Sequence, residues 1–183
     1  MNLIFKPDFA PSASGMYRYL STNVVWVNRD APRDECFMSK DSASYTYGKG
    51  YTRTYLSVPL DKNVESIMLE INRMFKSEYN VCFLNWYKDG HQHLGWHSDD
   101  SVEMDINHPI AVVSFGATRD IWVKEKSYKG VIPEKDKYPL NDGSIFIMPT
   151  GYQKEHLHKI PKSDRVCGGR ISLTFRKFIA KDL

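Results

Sequence analysis

The sequence predicts one mostly β domain of the α+β class. Three observations lead there. The chain has 183 residues, about the size of a single domain. One stretch of it repeats apolar residues at helical spacing. From residue 80 onward, short runs rich in β-branched and aromatic residues follow one another, divided by turn signals. Hydrophobic residues make up 42% and charged residues 26%, globular proportions that supply a sizeable core and leave no case for disorder.

Taken in order, the chain begins with a short apolar run (Leu3, Ile4, Phe5), followed over residues 10–20 by a helix weakened by Gly15 and several serines. Residues 28–57 are polar, basic and aromatic, with Arg29, Arg33, Lys40, Tyr45, Tyr47, Lys49, Tyr51, Arg53 and Tyr55, and read as a lid over a site in the β half. Residues 61–75 form the amphipathic helix: Val64, Ile67, Met68, Ile71, Met74 and Phe75 share a face, behind the capping residue Asp61. Strands are expected at 81–87, 110–115, 121–124, 144–148 and 170–178, with turns at Asp89-Gly90 and Asn141-Asp142-Gly143. Nothing marks a linker, so residues 1–183 are expected to form one domain, with helices and lid in 1–79 and the β core in 80–183.

Charge and cysteine content narrow the setting. A net charge of +3 is too small to identify a nucleic-acid binder by electrostatics alone. The excess is local: residues 151–183 hold eight basic and three acidic residues. Cys36, Cys82 and Cys167 cannot all pair and form no Cys-x-x-Cys site, which suits a reducing compartment. With no membrane-spanning run and no apolar leader, the expectation is a soluble intracellular monomer, cytoplasmic or nuclear.

Chemistry concentrates in His91-Gln-His93-Leu-Gly-Trp-His97-Ser-Asp99-Asp100. A zinc hydrolase built on His-x-His-x-Asp-His needs an Asp two places after the second His, and Leu94-Gly95 occupies that region. His97-x-Asp99 instead offers an imidazole and a carboxylate on one side of an extended segment, two-thirds of a facial triad. Two imidazoles and one carboxylate leave three positions open on Fe(II), enough for a chelating cosubstrate and dioxygen. His108, His156 and His158 are the candidates for the third ligand. His91 and His93 read as exposed loop residues.

The run Arg170-Ile-Ser172-Leu-Thr174-Phe-Arg176 alternates strictly between polar and apolar. The plainest meaning is a half-buried strand with a solvated basic face. The alternative is a clamp: two guanidinium forks about 20 Å apart along the strand, leaning inward on a short dicarboxylate such as 2-oxoglutarate.

These residues resemble the AlkB family of Fe(II)- and 2-oxoglutarate-dependent nucleic-acid dealkylases. The resemblance rests on six motifs in order: Asn85-Trp-Tyr87-Lys-Asp-Gly, His97-Ser-Asp99-Asp100, Pro109-Ile-Ala-Val-Val-Ser-Phe-Gly-Ala-Thr-Arg119-Asp120, Gly143-Ser-Ile-Phe-Ile-Met148, His158-Lys-Ile-Pro161, and Arg170-Ile-Ser-Leu-Thr-Phe-Arg176. It runs from about residue 80 to 177, and more loosely over 31–54. It implies a double-stranded β-helix, or jelly roll, with N-terminal helices and a nucleotide-recognition lid. It also implies His97, Asp99 and His158 as iron ligands, which selects His158 among the three candidates. Arg170 and Arg176 then bind 2-oxoglutarate, with Asn85, Tyr87 and Ser172 as partners, and Tyr45, Tyr47 and Asp100 contact the target base. Two positions depart from the pattern: Ser172 stands where some members carry Asn, and Ser101 where several carry an acidic residue.

The function implied is oxidative N-dealkylation of damaged bases in methylated DNA or RNA, using Fe(II), 2-oxoglutarate and O2 and releasing formaldehyde, succinate and CO2. The alternatives are the same chemistry on an RNA modification or a protein side chain, and a catalytically silent binding module. No membrane partner is expected.

Overall fold

In the computed structural model, residues 2–10, 15–47, 53–164 and 167–179 are described. Two antiparallel sheets face each other. The larger takes strands β1 (Ile4–Lys6), β2 (Asp34–Ser39), β5 (Val58–Pro59), β6 (Val81–Tyr87), β8 (Ile110–Gly116), β11 (Ile145–Met148) and β13 (Arg170–Arg176), in the order β1-β11-β8-β13-β6-β2-β5; only β2 and β5 pair in parallel. The smaller has the order β10-β9-β12-β7, from β7 (Leu94–His97), β9 (Arg119–Glu125), β10 (Lys137–Leu140) and β12 (His156–Ile160). A separate hairpin joins β3 (Ser44–Tyr47) to β4 (Arg53–Leu56). This is the jelly roll that the motifs implied.

Helices α1 (Met16–Asn23) and α2 (Lys62–Phe75) cover the outside of the large sheet, and a third, α3 (Tyr152–Glu155), is a single turn. Asp61 caps α2 as expected, its Oδ1 accepting from the amides of Asn63 and Val64. Val64, Met68 and Ile71 bury against Cys36, Cys82, Leu84, Val113, Ile171, Leu173 and Phe175 of the sheet; Met74, at the far end, is exposed. A second core fills the space between the sheets with Phe37, Phe83, Val112, Ile121, Val123, Phe146 and Ile160. That inter-sheet layer is where the cavity forms.

The N-terminal expectations need correction. The first helix is described over Met16–Asn23, past the expected end at 20, and residues 11–14 of the expected span lie outside the described residues. The expected lid is two structures. Residues 34–39 are the fully buried strand β2, paired with β6, and only β3 and β4 form a separate two-stranded sheet. The large sheet therefore draws β1, β2 and β5 from the part read as helices and lid. Asp34 and Glu35 hid β2, because carboxylates in a sequence signal solvent. Here Asp34 meets Lys88 at 2.6 Å and the Asn28 amide at 2.8 Å, and Glu35 meets Arg33 at 2.5 Å and the Tyr55 hydroxyl at 2.9 Å.

Candidate active site

β13 lies at the middle of the large sheet, between β8 and β6, and all seven of its residues are buried. Of the two readings of this strand, the solvated basic face does not exist and the inward-facing one does. Arg170, Ser172, Thr174 and Arg176 line the inter-sheet cavity while Ile171, Leu173 and Phe175 pack beneath the helices. Register brings the other expected contacts alongside: Tyr87 pairs with Arg170 and Asn85 with Ser172, and both line the cavity.

Opposite them, the small sheet supplies the metal-binding groups. The extra residue of a bulge in β7 turns both Leu94 and His97 inward: Leu94 pairs with Ile160 and His97 with His158, three residues against two. One donor atom each from His97, Asp99 and His158 lies within 4.8 Å of the others. His97 donates from Nδ1 to the Gly95 carbonyl at 2.8 Å, which leaves Nε2 as the free lone pair, 3.7 Å from Asp99 Oδ1. His158 Nε2 is 4.0 Å from Asp99 Oδ2. Gln153 receives the Asp99 amide at 2.9 Å and fixes the backbone there.

Electrostatics keeps all three groups in their ligating forms. Burial, and then the repulsion that a protonated His97 would add, drives His158 down to about 3, and burial likewise lowers His97, so both imidazoles are neutral. Burial alone would raise Asp99, but the Arg176 guanidinium, 2.7 Å away, holds it well below the usual carboxylate range. Two neutral imidazoles and one carboxylate make the mixed donor set of a non-heme Fe(II) centre.

Arg170 carries the second half of the fit. It is fully buried; Nη2 donates to Ser114 Oγ at 2.8 Å and the guanidinium lies 5.5 Å from the Tyr87 ring centroid. Among the described residues its Nε and Nη1 have no hydrogen-bond partner, and burial pulls its pKa down to about 10. A buried guanidinium without a carboxylate is costly unless a ligand carboxylate completes it. The residues therefore fit Fe(II) and 2-oxoglutarate. Arg176, expected only as the second cosubstrate arm, also anchors the ligand Asp99.

The rejected histidines are placed elsewhere. His108 bonds Asp105 at 3.0 Å, and His156 stacks on Tyr152 with ring centroids 4.2 Å apart. His91 and His93 lie in the loop before β7. Asp100 is exposed and borders a neighbouring depression with Asp105 and His108, not the main cavity. The side chains of Tyr45 and Tyr47 lie outside the described residues.

Three cavity and support residues had no assigned role. Tyr55 of the hairpin lines the cavity, and so does Arg33, whose Nε donates to Asn85 Oδ1 at 2.6 Å. The signal for Arg33 was a period-two pattern, Arg33, Glu35 and Phe37 against Cys36 and Met38, masked by its charges. Arg119 is buried and donates to the carbonyls of Asp89 (2.9 Å), Gln92 (2.9 Å) and Pro161 (2.6 Å). It thus ties the loop that precedes the His97 strand to the residue that follows the His158 strand, an arrangement with no sequence signature.

Such a jelly roll, with the donor set on the small sheet and a buried arginine on the large one, defines a metal-dependent oxygenase. Residues 17–176 match the model of the 2OG-Fe(II) oxygenase superfamily, to which the chain belongs, and within it the chain is a member of the AlkB family. It is 33% identical over 144 residues to human DNA oxidative demethylase ALKBH2, covering 73% of this chain and 55% of that one. It is 27% identical over 176 residues to bovine alpha-ketoglutarate-dependent dioxygenase alkB homolog 3, covering 90% and 61%. The solved structure of OsALKBH1 matches over 96% of this chain and 97% of its own with a TM-score of 0.60 at 14% identity, a likeness of fold. The chain spans about half to three-fifths of the length of these curated relatives.

Proposed function

We propose that this chain oxidatively removes N-methyl groups from nucleobases of DNA, releasing formaldehyde, succinate and CO2. The observation that carries the reading is one cavity holding the His97, Asp99 and His158 donors, the uncompensated Arg170 and the Tyr55 ring together. The relative named a DNA oxidative demethylase supports the choice of substrate.

His97, Asp99 and His158 hold the metal, and Arg170 and Arg176, with Asn85, Tyr87 and Ser172, hold the two carboxylates of 2-oxoglutarate. When bound, Fe(II) with 2-oxoglutarate and O2 supplies a two-electron oxidation that places one oxygen atom on the methyl carbon and the other in succinate. The protein orients both reactants and keeps the reacting carbon dry behind Leu94, Val112, Ile121 and Ile160. A methylated base pairs poorly, so turning it out of a duplex into the cavity costs less than for a normal base. Tyr55 offers it an aromatic face, worth about 1 to 3 kcal/mol. Tyr45 and Tyr47 of the same hairpin are the further contacts, while Asp100, on the neighbouring depression, lies outside the cavity that receives the base. The 183 residues act as one oxygenase domain, as a monomer, in the cytoplasm or nucleus; among the described residues no helix is long and apolar enough to cross a membrane.

The test is to supply Fe(II), 2-oxoglutarate and methylated single- and double-stranded DNA and RNA oligonucleotides and to measure succinate and base mass. Demethylation with succinate release, greatest on DNA, is expected. Preference for RNA would move the substrate, and succinate without demethylation would point to a protein or another modification. Absence of both would leave a silent binding module.

A further inference from the structure

The outer face of the small sheet, turned away from the cavity, carries an arrangement that the oxidation does not use. Trp122 of β9 and Trp96 of β7 flank β12, and Lys159 of β12 reaches over both rings, 4.4 and 4.8 Å from their centroids. Lys124 also covers Trp96 at 4.8 Å, and Lys137 of β10 covers Trp122 at 5.0 Å. Three ammonium groups therefore alternate with two indoles across all four strands, about 14 Å at ordinary strand spacing. Glu134 compensates Lys137 at 2.8 Å. Lys124 donates to the Tyr128 carbonyl, and neither it nor Lys159 meets a carboxylate among the described residues. Burial, and then the nearness of Lys124, holds the pKa of Lys159 below its usual value.

Two cations gathered on one indole without a carboxylate are an incomplete arrangement, and an anion from another molecule completes it. One strand of a B-form duplex carries one phosphate per roughly 3.4 Å of helix axis, so a row of about 14 Å is long enough to meet more than one, while the indole edges accept sugar or base contact. Lysine suits phosphate as a point charge, without the bidentate geometry that carboxylates draw from arginine. We propose that this face binds the phosphodiester backbone flanking the base held in the cavity. The inference rests on the nucleic-acid reading above.

The test uses the full chain and a fluorescein-labelled, unmodified DNA oligonucleotide across a salt series. The Lys124→Gln/Lys159→Gln double variant is expected to bind about tenfold more weakly, with the slope of log K against log salt reduced by about 1 per lysine. On a methylated oligonucleotide its KM rises in parallel while kcat at saturation is retained. Lys159→Arg keeps the charge and the ring contact and retains binding. Should the double variant fold poorly by circular dichroism, Lys124→Gln alone carries the comparison, with a slope change of about 1. Unchanged affinity and slope overturn the proposal, as does a loss of kcat with affinity intact. Competition by polyglutamate as strong as that by DNA overturns it in favour of an acidic protein partner. Wild type that binds DNA but demethylates nothing would sink the proposed function instead, and the binding comparison, which needs no turnover, would still decide the surface.

Discussion

Ile171, Leu173 and Phe175 on one side of β13, and Arg170, Ser172, Thr174 and Arg176 on the other, are equally removed from water. The first set is satisfied within the fold, packed against α2 and its neighbours. The second is only partly satisfied: Arg176 bonds the ligand Asp99 and Arg170 bonds Ser114, but two donors of Arg170 have no partner among the described residues. The same strand therefore serves stability with one face and binding with the other, and only the second leaves polar groups for a ligand to complete.

The largest expected effect falls on the apolar face. Leu173→Ala removes a fully buried side chain between sheet and helices and is expected to cost about 2 to 5 kcal/mol of stability, read by denaturant melts, while the KM for 2-oxoglutarate in the folded fraction stays as in wild type. A large KM change with no loss of stability would reverse the division between the two faces.

Next is the pH response of metal-free protein. As pH falls through about 6.5 the unfolded chain protonates its imidazoles, whereas His158 in the fold resists until about 3. The unfolded state then binds more protons, so stability is complete above about 6.5 and declines below it through that window. In EDTA, His158→Asn should flatten the fall in Tm with acid; an unchanged profile would contradict a buried, neutral His158.

Arg119→Ala is expected to cost about 1 to 3 kcal/mol, because three carbonyls lose their buried donor. It should also weaken Fe(II) binding, measured by calorimetry, since the strands bearing His97 and His158 lose their common tie. Stability loss with Fe(II) affinity intact would confine Arg119 to the scaffold. The smallest change is Arg170→Lys: about a tenfold rise in the KM for 2-oxoglutarate, or about 1.4 kcal/mol, with little change in the Tm of the ligand-free protein. An unchanged KM would remove Arg170 from the cosubstrate site.

The same contrast explains what could be read from the sequence. β6, β8 and β13 announced themselves through aromatic and β-branched runs, because central strands buried on both faces are made of such residues. β7 and β12 did not, since their short runs mix His, Gly, Trp and Lys, and the bulge that aims His97 breaks the period-two pattern. His97, Asp99 and the alternating arginines were legible from spacing, and the ordered motifs singled out His158. The roles of Arg33, Tyr55 and Arg119 were not, because each depends on partners far along the chain, with Arg33 and Asn85 52 positions apart. Nor did the net charge of +3 reveal the lysine and tryptophan row, which strand pairing assembles from four separate segments.

The central claim is that His97, Asp99 and His158 hold the iron that Arg170 serves with 2-oxoglutarate. It is tested most directly by measuring succinate and formaldehyde together from Fe(II)-loaded wild type and His97→Ala on a methylated DNA oligonucleotide. Equal amounts of the two products are expected from wild type and neither from the variant. Wild-type-like release from His97→Ala, or succinate from wild type with no formaldehyde, would contradict it.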